Sequence, residues 1–243
     1  MENRHAPSMR PCFTEAMALA RFKDLCIDAV DAAASTRFWG AVLGLETRLQ
    51  DNGDGELRTP DGRVLVWVNG VPEPKTAKNR VHLDVNAESV QQVIDLGATV
   101  VAEFPRWTTL VDPDGQEFCV FVRETPIEQR IYEIGWDCAE GPAASRAQAT
   151  WWQGVLGGDV VDDDDEHGYS WLEGIPYAPF DSIDFAGVAE PKTVKNRVHV
   201  DVWTPDIDAL VAHGATVLRP RGRDIGWHVL ADPEGNEFCA FTD

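Results

Sequence analysis

Two stretches carry the residues with the most chemical reach. KNRVHLDV at 78–85 and KNRVHVDV at 195–202 differ at one position. Each sets an arginine, a histidine and an aspartate at alternate places: Arg80, His82 and Asp84, then Arg197, His199 and Asp201. A histidine held by a carboxylate can carry a proton near neutral pH or bind a metal. Downstream of both copies an Asp-Pro-acid-Gly turn leads into Glu117 and Cys119, or Glu237 and Cys239. A thiol there can be a soft ligand, a nucleophile, or a small buried filler. The same letters also spell a scaffold, with Arg80–Asp84 and Arg197–Asp201 ion pairs sealing each copy and the histidines bonded between them. Spacing leaves both readings open, and repetition in both copies favours scaffold.

Alternation shows what must hold these groups. Val81, Leu83 and Val85 fall on one face of a strand and Arg80, His82 and Asp84 on the other. The apolar face should lie under helices, since burying each aliphatic side chain stabilises by about 1.5–3 kcal/mol. The polar face must then look into a cleft.

The repetition extends further. FWGAVLG (38–44) answers WWQGVLG (151–157), LGATVV (96–101) answers HGATVL (213–218), and LVDPDGQEFCVF (110–121) answers LADPEGNEFCAF (230–241). Within each half the pattern β-α-β-β-β occurs twice, with DLCIDAVD and RVHLDV as alternating first strands and Gly44 and Gly97 closing the helices. The expected organisation is an N-terminal arm over 1–21, one domain over 22–123, a linker over 124–131 and a second domain over 132–243. The fold class is α+β, a tandem duplication in which two βαβββ modules per half form a curved mixed sheet around a cleft, with helices outside.

Composition narrows the partners. A net charge of −20 excludes nucleic acid, which demands clustered Lys and Arg, and favours a neutral or cationic small molecule. No apolar run reaches a membrane span. Five cysteines in no zinc-finger spacing read as free thiols of a reducing cytoplasm. Of nine tryptophans, Trp39, Trp151 and Trp152 belong to helices and the core, whereas Trp67, Trp107 and Trp227 are candidates to wall the cleft. The acidic run 159–171 reads as a solvated hairpin loop.

Doubled modules, an aromatic pair before LG, and the DPDGQEF and DPEGNEF turns together resemble the vicinal oxygen chelate superfamily, and most closely its glyoxalase-like domains. The resemblance implies four metal-ligand positions per cleft in metal-dependent members. In the first half these fall near Asp24, on VLVWV with no ligand, on His82 and on Cys119. In the second they fall near Glu133, on Asp184, on His199 and on Cys239. Cysteine replaces the glutamate expected after each turn, and Glu117 and Glu237 lie two residues earlier on the same face. So irregular a set predicts no tightly bound metal, with a divalent ion as the alternative.

The expected function is binding of a small organic molecule in an acidic, tryptophan-containing cleft, for sequestration or for a lyase or isomerase reaction using His82 or His199. Arg80, Asp84, Arg197, Asp201, Asp28, Asp137, Trp67, Trp107, Trp227, Cys119, Cys239, Glu117 and Glu237 are the candidate ligand-binding residues. The rivals are a metal-dependent glyoxalase or dioxygenase with unusual ligands, and a non-catalytic interaction protein. The halves could pair internally as a pseudo-dimeric monomer or support a weak homodimer.

Overall fold

The computed structural model describes residues 18–124, 126–163 and 168–242. Most of the arm, Thr125 of the linker and Asp164 and Asp165 of the acidic run lie outside them. Module one comprises β1 (Arg21–Ala29), α1 (Ala32–Leu43), β2 (Glu46–Leu49), β3 (Gly55–Arg58) and β4 (Val64–Gly70). Module two comprises β5 (Val81–Ala87), α2 (Val90–Asp95), β6 (Thr99–Glu103), β7 (Thr108–Val111) and β8 (Glu117–Val122). Module three comprises β9 (Ile131–Cys138), α3 (Pro142–Leu156), β10 (Asp159–Asp162), β11 (Tyr169–Glu173) and β12 (Ser182–Gly187). Module four comprises β13 (Val198–Trp203), α4 (Ile207–Ala212), β14 (Thr216–Arg219), β15 (His228–Ala231) and β16 (Glu237–Phe241).

Local chemistry explains the helix ends. The Asp31 carboxylate accepts the Ala34 N–H at 2.8 Å, and Gly44 takes the left-handed conformation, φ 66°, that stops α1. Asp206 caps α4 in the same way, and Pro142 opens α3, where its missing N–H costs nothing.

The modules appear as expected, but each sheet is shared between the halves. One eight-stranded sheet runs β14-β15-β16-β13-β1-β4-β3-β2 and the other β10-β11-β12-β9-β5-β8-β7-β6. Module one therefore pairs with module four, and module two with module three. The joints are antiparallel, with Leu25 opposite Val200 in the first and Leu83 opposite Ile134 in the second. The short link after β8 lets β9 fold back beside β5. The segments 71–80 and 188–197 instead carry the chain from one sheet to the other. A sequence repeat defines which residues form a module; it does not say which module lies next to it.

Within each half the core connects the two sheets. On α1, Trp39 packs against Phe118 of module two at 5.1 Å and donates its indole N–H to Asp112 at 3.0 Å. Trp152 on α3 meets Phe238 at 5.3 Å and donates to Asp232 at 3.4 Å. Trp39, Trp151 and Trp152 are all buried, as their helical placement predicts. No helix among the described residues is long and apolar enough to cross a membrane.

Because both inner strands take half their hydrogen bonds from the other half, residues 22–123 made alone should not yield a folded monomer. Light scattering with circular dichroism should find that fragment unfolded or paired with a second copy. A folded monomeric half would show that the crossed joints are dispensable.

Candidate functional site

On the polar face of each sheet the two first strands meet, and there the histidines lie. Sheet pairing regroups the expected ligand positions. Asp24 faces Asp201 across β1 and β13 and is not near His82. Glu133 faces Asp84 across β5 and β9, while Gly135 lies between His82 and Asp184. The sets expected from each half alone are thus exchanged: Glu133 and Asp184 join His82 and Cys119, and Asp24 joins His199 and Cys239. Crossed strand pairing is the physical cause.

The His82 group is compact. Nδ1 of His82 lies 2.8 Å from Oδ1 of Asp84, and ligand atoms of His82, Asp84 and Cys119 all fall within 4.8 Å of one another. Thr109 contacts the Cys119 sulfur at 3.6 Å, and Ser182 donates to Glu133 at 3.0 Å. Burial pulls His82 toward neutrality, but the charge and hydrogen bond of Asp84, helped by Asp137, hold its pKa above the ordinary value. Burial, then Asp84 and Asp184, push Glu133 up to about 8. Burial, then Asp84, push Asp184 up to about 7. Cys119 is raised by burial first and Asp84 second, so its thiol stays protonated and is no nucleophile as it stands.

The His199 group has similar letters and different physics. His199 Nε2 contacts the Cys239 sulfur at 3.4 Å and lies 3.5 Å from Asp201, while its buried Nδ1 has no hydrogen-bond partner among the described residues. Burial lowers its pKa. Cys26, His199 and Asp201 also present ligand atoms within 4.8 Å. A cation of the chain's own already sits there, however. Lys23 Nζ is 2.5 Å from Asp24 and 3.8 Å from Asp201, and it lies 4.1 Å from the centroid of the Phe241 ring. Trp67 adds an indole N–H to Asp24 at 3.2 Å.

Two substitutions between the copies account for the difference. Gly135 occupies the place of Cys26, and the His82 imidazole lies over it so closely that a Cβ there would come within 2.1 Å of Cε1. Tyr132 occupies the place of Lys23, so no internal ammonium reaches the Glu133–Asp184 carboxyls. Lys23 was not legible as a site residue: beside Asp24 in a strand it should point away, and only the irregular register between Phe22 and Asp24 turns both inward. Gly135 could have been found by laying IYEIGWD over FKDLCID.

Other expected residues have different roles. Arg80 and Arg197 do not pair with Asp84 and Asp201. Each reaches the opposite crossing segment, Arg80 to the Glu190 carbonyl at 2.5 Å and Arg197 to the Glu73 carbonyl at 2.7 Å, with Asp114 also on Arg197 at 3.2 Å. Both sit at the entrance to their strands, one residue before the ladder begins. Asp137 and Asp28 bind Lys78 and Lys195, and so turn toward the crossing segments. Glu117 and Glu237 anchor those segments through Lys75 at 2.6 Å and Lys192 at 3.0 Å. Neither belongs to a histidine cluster. Trp107 stacks between Phe104, at 4.8 Å, and Phe121, at 6.1 Å; Trp227 stacks on Phe241 at 5.5 Å. The described cysteines are free.

Four βαβββ modules in two mixed sheets, with histidine, carboxylate and thiol gathered where first strands meet, define a vicinal oxygen chelate protein. The glyoxalase-like domain model matches residues 24–121 and 136–241, and the chain belongs to that family. Among solved structures it is similar to glyoxalase I from Zea mays, at 14% identity, TM-score 0.64, over 91% of this chain and 92% of that one. A point variant of the same maize protein gives 15% and 0.65 over 91% and 92%. A Bacillus subtilis subsp. subtilis str. 168 protein provisionally named a dioxygenase gives 12% and 0.60 over 93% and 86%. No curated protein sequence matches the chain.

A carboxyl whose pKa is higher folded than unfolded binds extra protons in the folded state between the two values, so stability falls as pH rises through that window. For Glu133 the window runs from 4.5 to about 8, and for Asp184 from 3.8 to about 7. Urea denaturation should show declining stability from pH ~5 to ~8.5. Glu133→Gln keeps an acceptor for Ser182 and should flatten that decline, stabilising at the upper end by on the order of 1–2 kcal/mol. An unchanged slope would mean Glu133 is already ionised at neutral pH.

Proposed function

We propose that the His82 face is the working site, that it binds a small oxygen-bearing organic molecule together with a divalent cation, and that it transfers protons in a lyase- or isomerase-type reaction. One observation supports this above others: the His82 group concentrates three carboxyls with no lysine in contact with them among the described residues, since nearby Lys78 is bound to Asp137, whereas in the His199 group Lys23 contacts Asp24 and Asp201. Burial first, and the neighbouring carboxylates second, drive Glu133 up to about 8 and Asp184 up to about 7, and His82 supplies only part of the cationic offset. A divalent ion would supply the rest.

The donors suit one. His82, Asp84, Glu133, Asp184 and Cys119 mix nitrogen, oxygen and sulfur, a set that fits a borderline ion such as zinc, nickel or cobalt better than magnesium or calcium. Expectation of a metal-free site rested on ligand sets taken from each half separately; the exchanged sets are richer on this side. When bound, such an ion would polarise an oxygen of the ligand. The chain's own groups do the rest. Asp84 holds Nδ1 of His82, which leaves Nε2 to exchange a proton with the ligand, and Glu133 and Asp184 titrate close enough to neutral pH to receive or return one. The Trp107–Phe121 stack is an apolar shelf along the same strands for a flat part of the ligand. That shelf also supports a second reading, metal-free sequestration of a flat molecule.

Protein stripped with chelator and titrated with Zn²⁺ or Ni²⁺ in a calorimeter should take up one ion per chain. His82→Ala, or Glu133→Gln combined with Asp184→Asn, should weaken uptake by at least about tenfold, and His199→Ala should leave it unchanged. No uptake, or two equal sites, would overturn the proposal; ligand binding that persists in chelator would favour sequestration.

A further inference from the structure

Away from both histidine faces, the two crossing segments enclose a cavity of about 570 Å³ on the pseudo-twofold axis. Its walls are the repeated EPKTAKNR and EPKTVKNR stretches, with Asp28 and Asp137. In a chain of net charge −20, this is a concentration of cations: Lys75, Lys78 and Arg80 from one segment, Lys192, Lys195 and Arg197 from the other. Glu73 and Glu190, which open the two stretches, also line it, and Pro74, Pro191, Val188 and Val194 supply apolar wall.

Lys75 and Lys192 are committed to Glu117 and Glu237. Lys78 and Lys195 each hold one buried aspartate yet remain about half exposed, with ammonium hydrogens to spare. The arginines are more telling. Arg80 and Arg197 are each only 8% exposed, and each keeps a buried Nε–H with no hydrogen-bond partner among the described residues. A buried cationic donor left unpaired is costly, and because both arginines line the cavity, an acceptor that enters it and draws the guanidinium groups toward it would relieve that cost. Two such donors, related by the same axis that relates the two lysines, call for an acceptor at each end of one guest.

We infer that this cavity is a second ligand site, separate from the His82 face, that binds a small dianion with an acidic group at each end and a short apolar spacer. One end would meet Lys78 and Arg80 and the other Lys195 and Arg197, with the spacer against the prolines and valines. Lodged between the segments, such a guest would tie together the two connections that carry the chain between the sheets.

Calorimetric titration of the intact chain with succinate, glutarate and adipate tests this, with butyrate and succinamide as one-ended and uncharged controls. At least one diacid should bind one per chain, at least about tenfold more tightly than either control, and should raise the melting temperature. Lys78→Gln with Lys195→Gln, whose amides can still donate to Asp137 and Asp28 and whose fold circular dichroism checks, should weaken that diacid by at least about tenfold. Arg197→Lys, which keeps the charge but removes the Nε–H, should weaken it too. His82→Ala should leave its affinity unchanged, which separates this site from the one proposed above. The inference fails if no diacid binds, if butyrate binds equally well, if the double lysine variant binds as before, or if His82→Ala abolishes binding.

Discussion

The pairing of β1 with β13 and β5 with β9 is the constraint on which the rest of the structure depends. Each joint places the first strand of one half against a first strand of the other, and so brings Glu133 to the His82 group and Lys23, Asp24 and Cys26 to the His199 group. Asp84 and Glu133 are neighbours through β5 and β9, as Asp24 and Asp201 are through β1 and β13. The helices work against simple separation of the sheets, because Trp39 and Trp152 bind α1 and α3 to partners on the other sheet within their own half. Strand pairing therefore joins half to half, while core packing joins sheet to sheet. Neither set of contacts can be loosened alone, and the 71–80 and 188–197 segments must cross at one place to satisfy both.

That crossing explains why the chain spells one phrase twice. The lysine and asparagine of KNR fasten each segment: Lys78 and Lys195 to buried aspartates, and the Asn79 and Asn196 backbones to Glu117 and Glu237, each at 3.1 Å. The arginine clasps the opposite segment. Only from the histidine onward does the phrase reach the polar face. The repeated letters thus act as scaffold in their first half and place the histidine and aspartate on the polar face in their second.

The modules, their strands, the helix caps and the alternation of faces were legible because period-2 and capping signals are local. Val81, Leu83 and Val85 are buried, as that alternation requires, and Asp31, Gly44 and Pro142 end or open helices as their chemistry dictates. Which modules share a sheet was not legible, since pairing between β1 and β13 is decided more than 170 residues apart along the chain by packing that no local signal encodes. From that single unknown came the misassigned ligand sets and the misplaced arginine pairs. Lys23 was hidden for another reason: a register irregularity turned against the alternation that identified everything else.

The two histidine groups show how little the motif itself determines. His82 and His199 stand in the same phrase, each with an aspartate two residues on, yet one pKa is raised and the other lowered. The strand alongside decides. Glycine at 135 gives the His82 ring a place to lie while Nδ1 meets Asp84; at 26 the cysteine side chain occupies that ground, and the His199 ring turns its Nε2 toward Cys239. With Asp84 in contact, the cationic form of His82 is favoured despite burial. Without an equally close carboxylate, desolvation prevails at His199. Charge balance differs as well: Lys23 contacts Asp24 and Asp201, although burial and Asp24 still push Asp201 up, while Glu133 and Asp184 have no such contact and are pushed up by burial first and by neighbouring carboxylates second. A duplicated scaffold with one such change per strand needs no new motif to make its two faces chemically distinct.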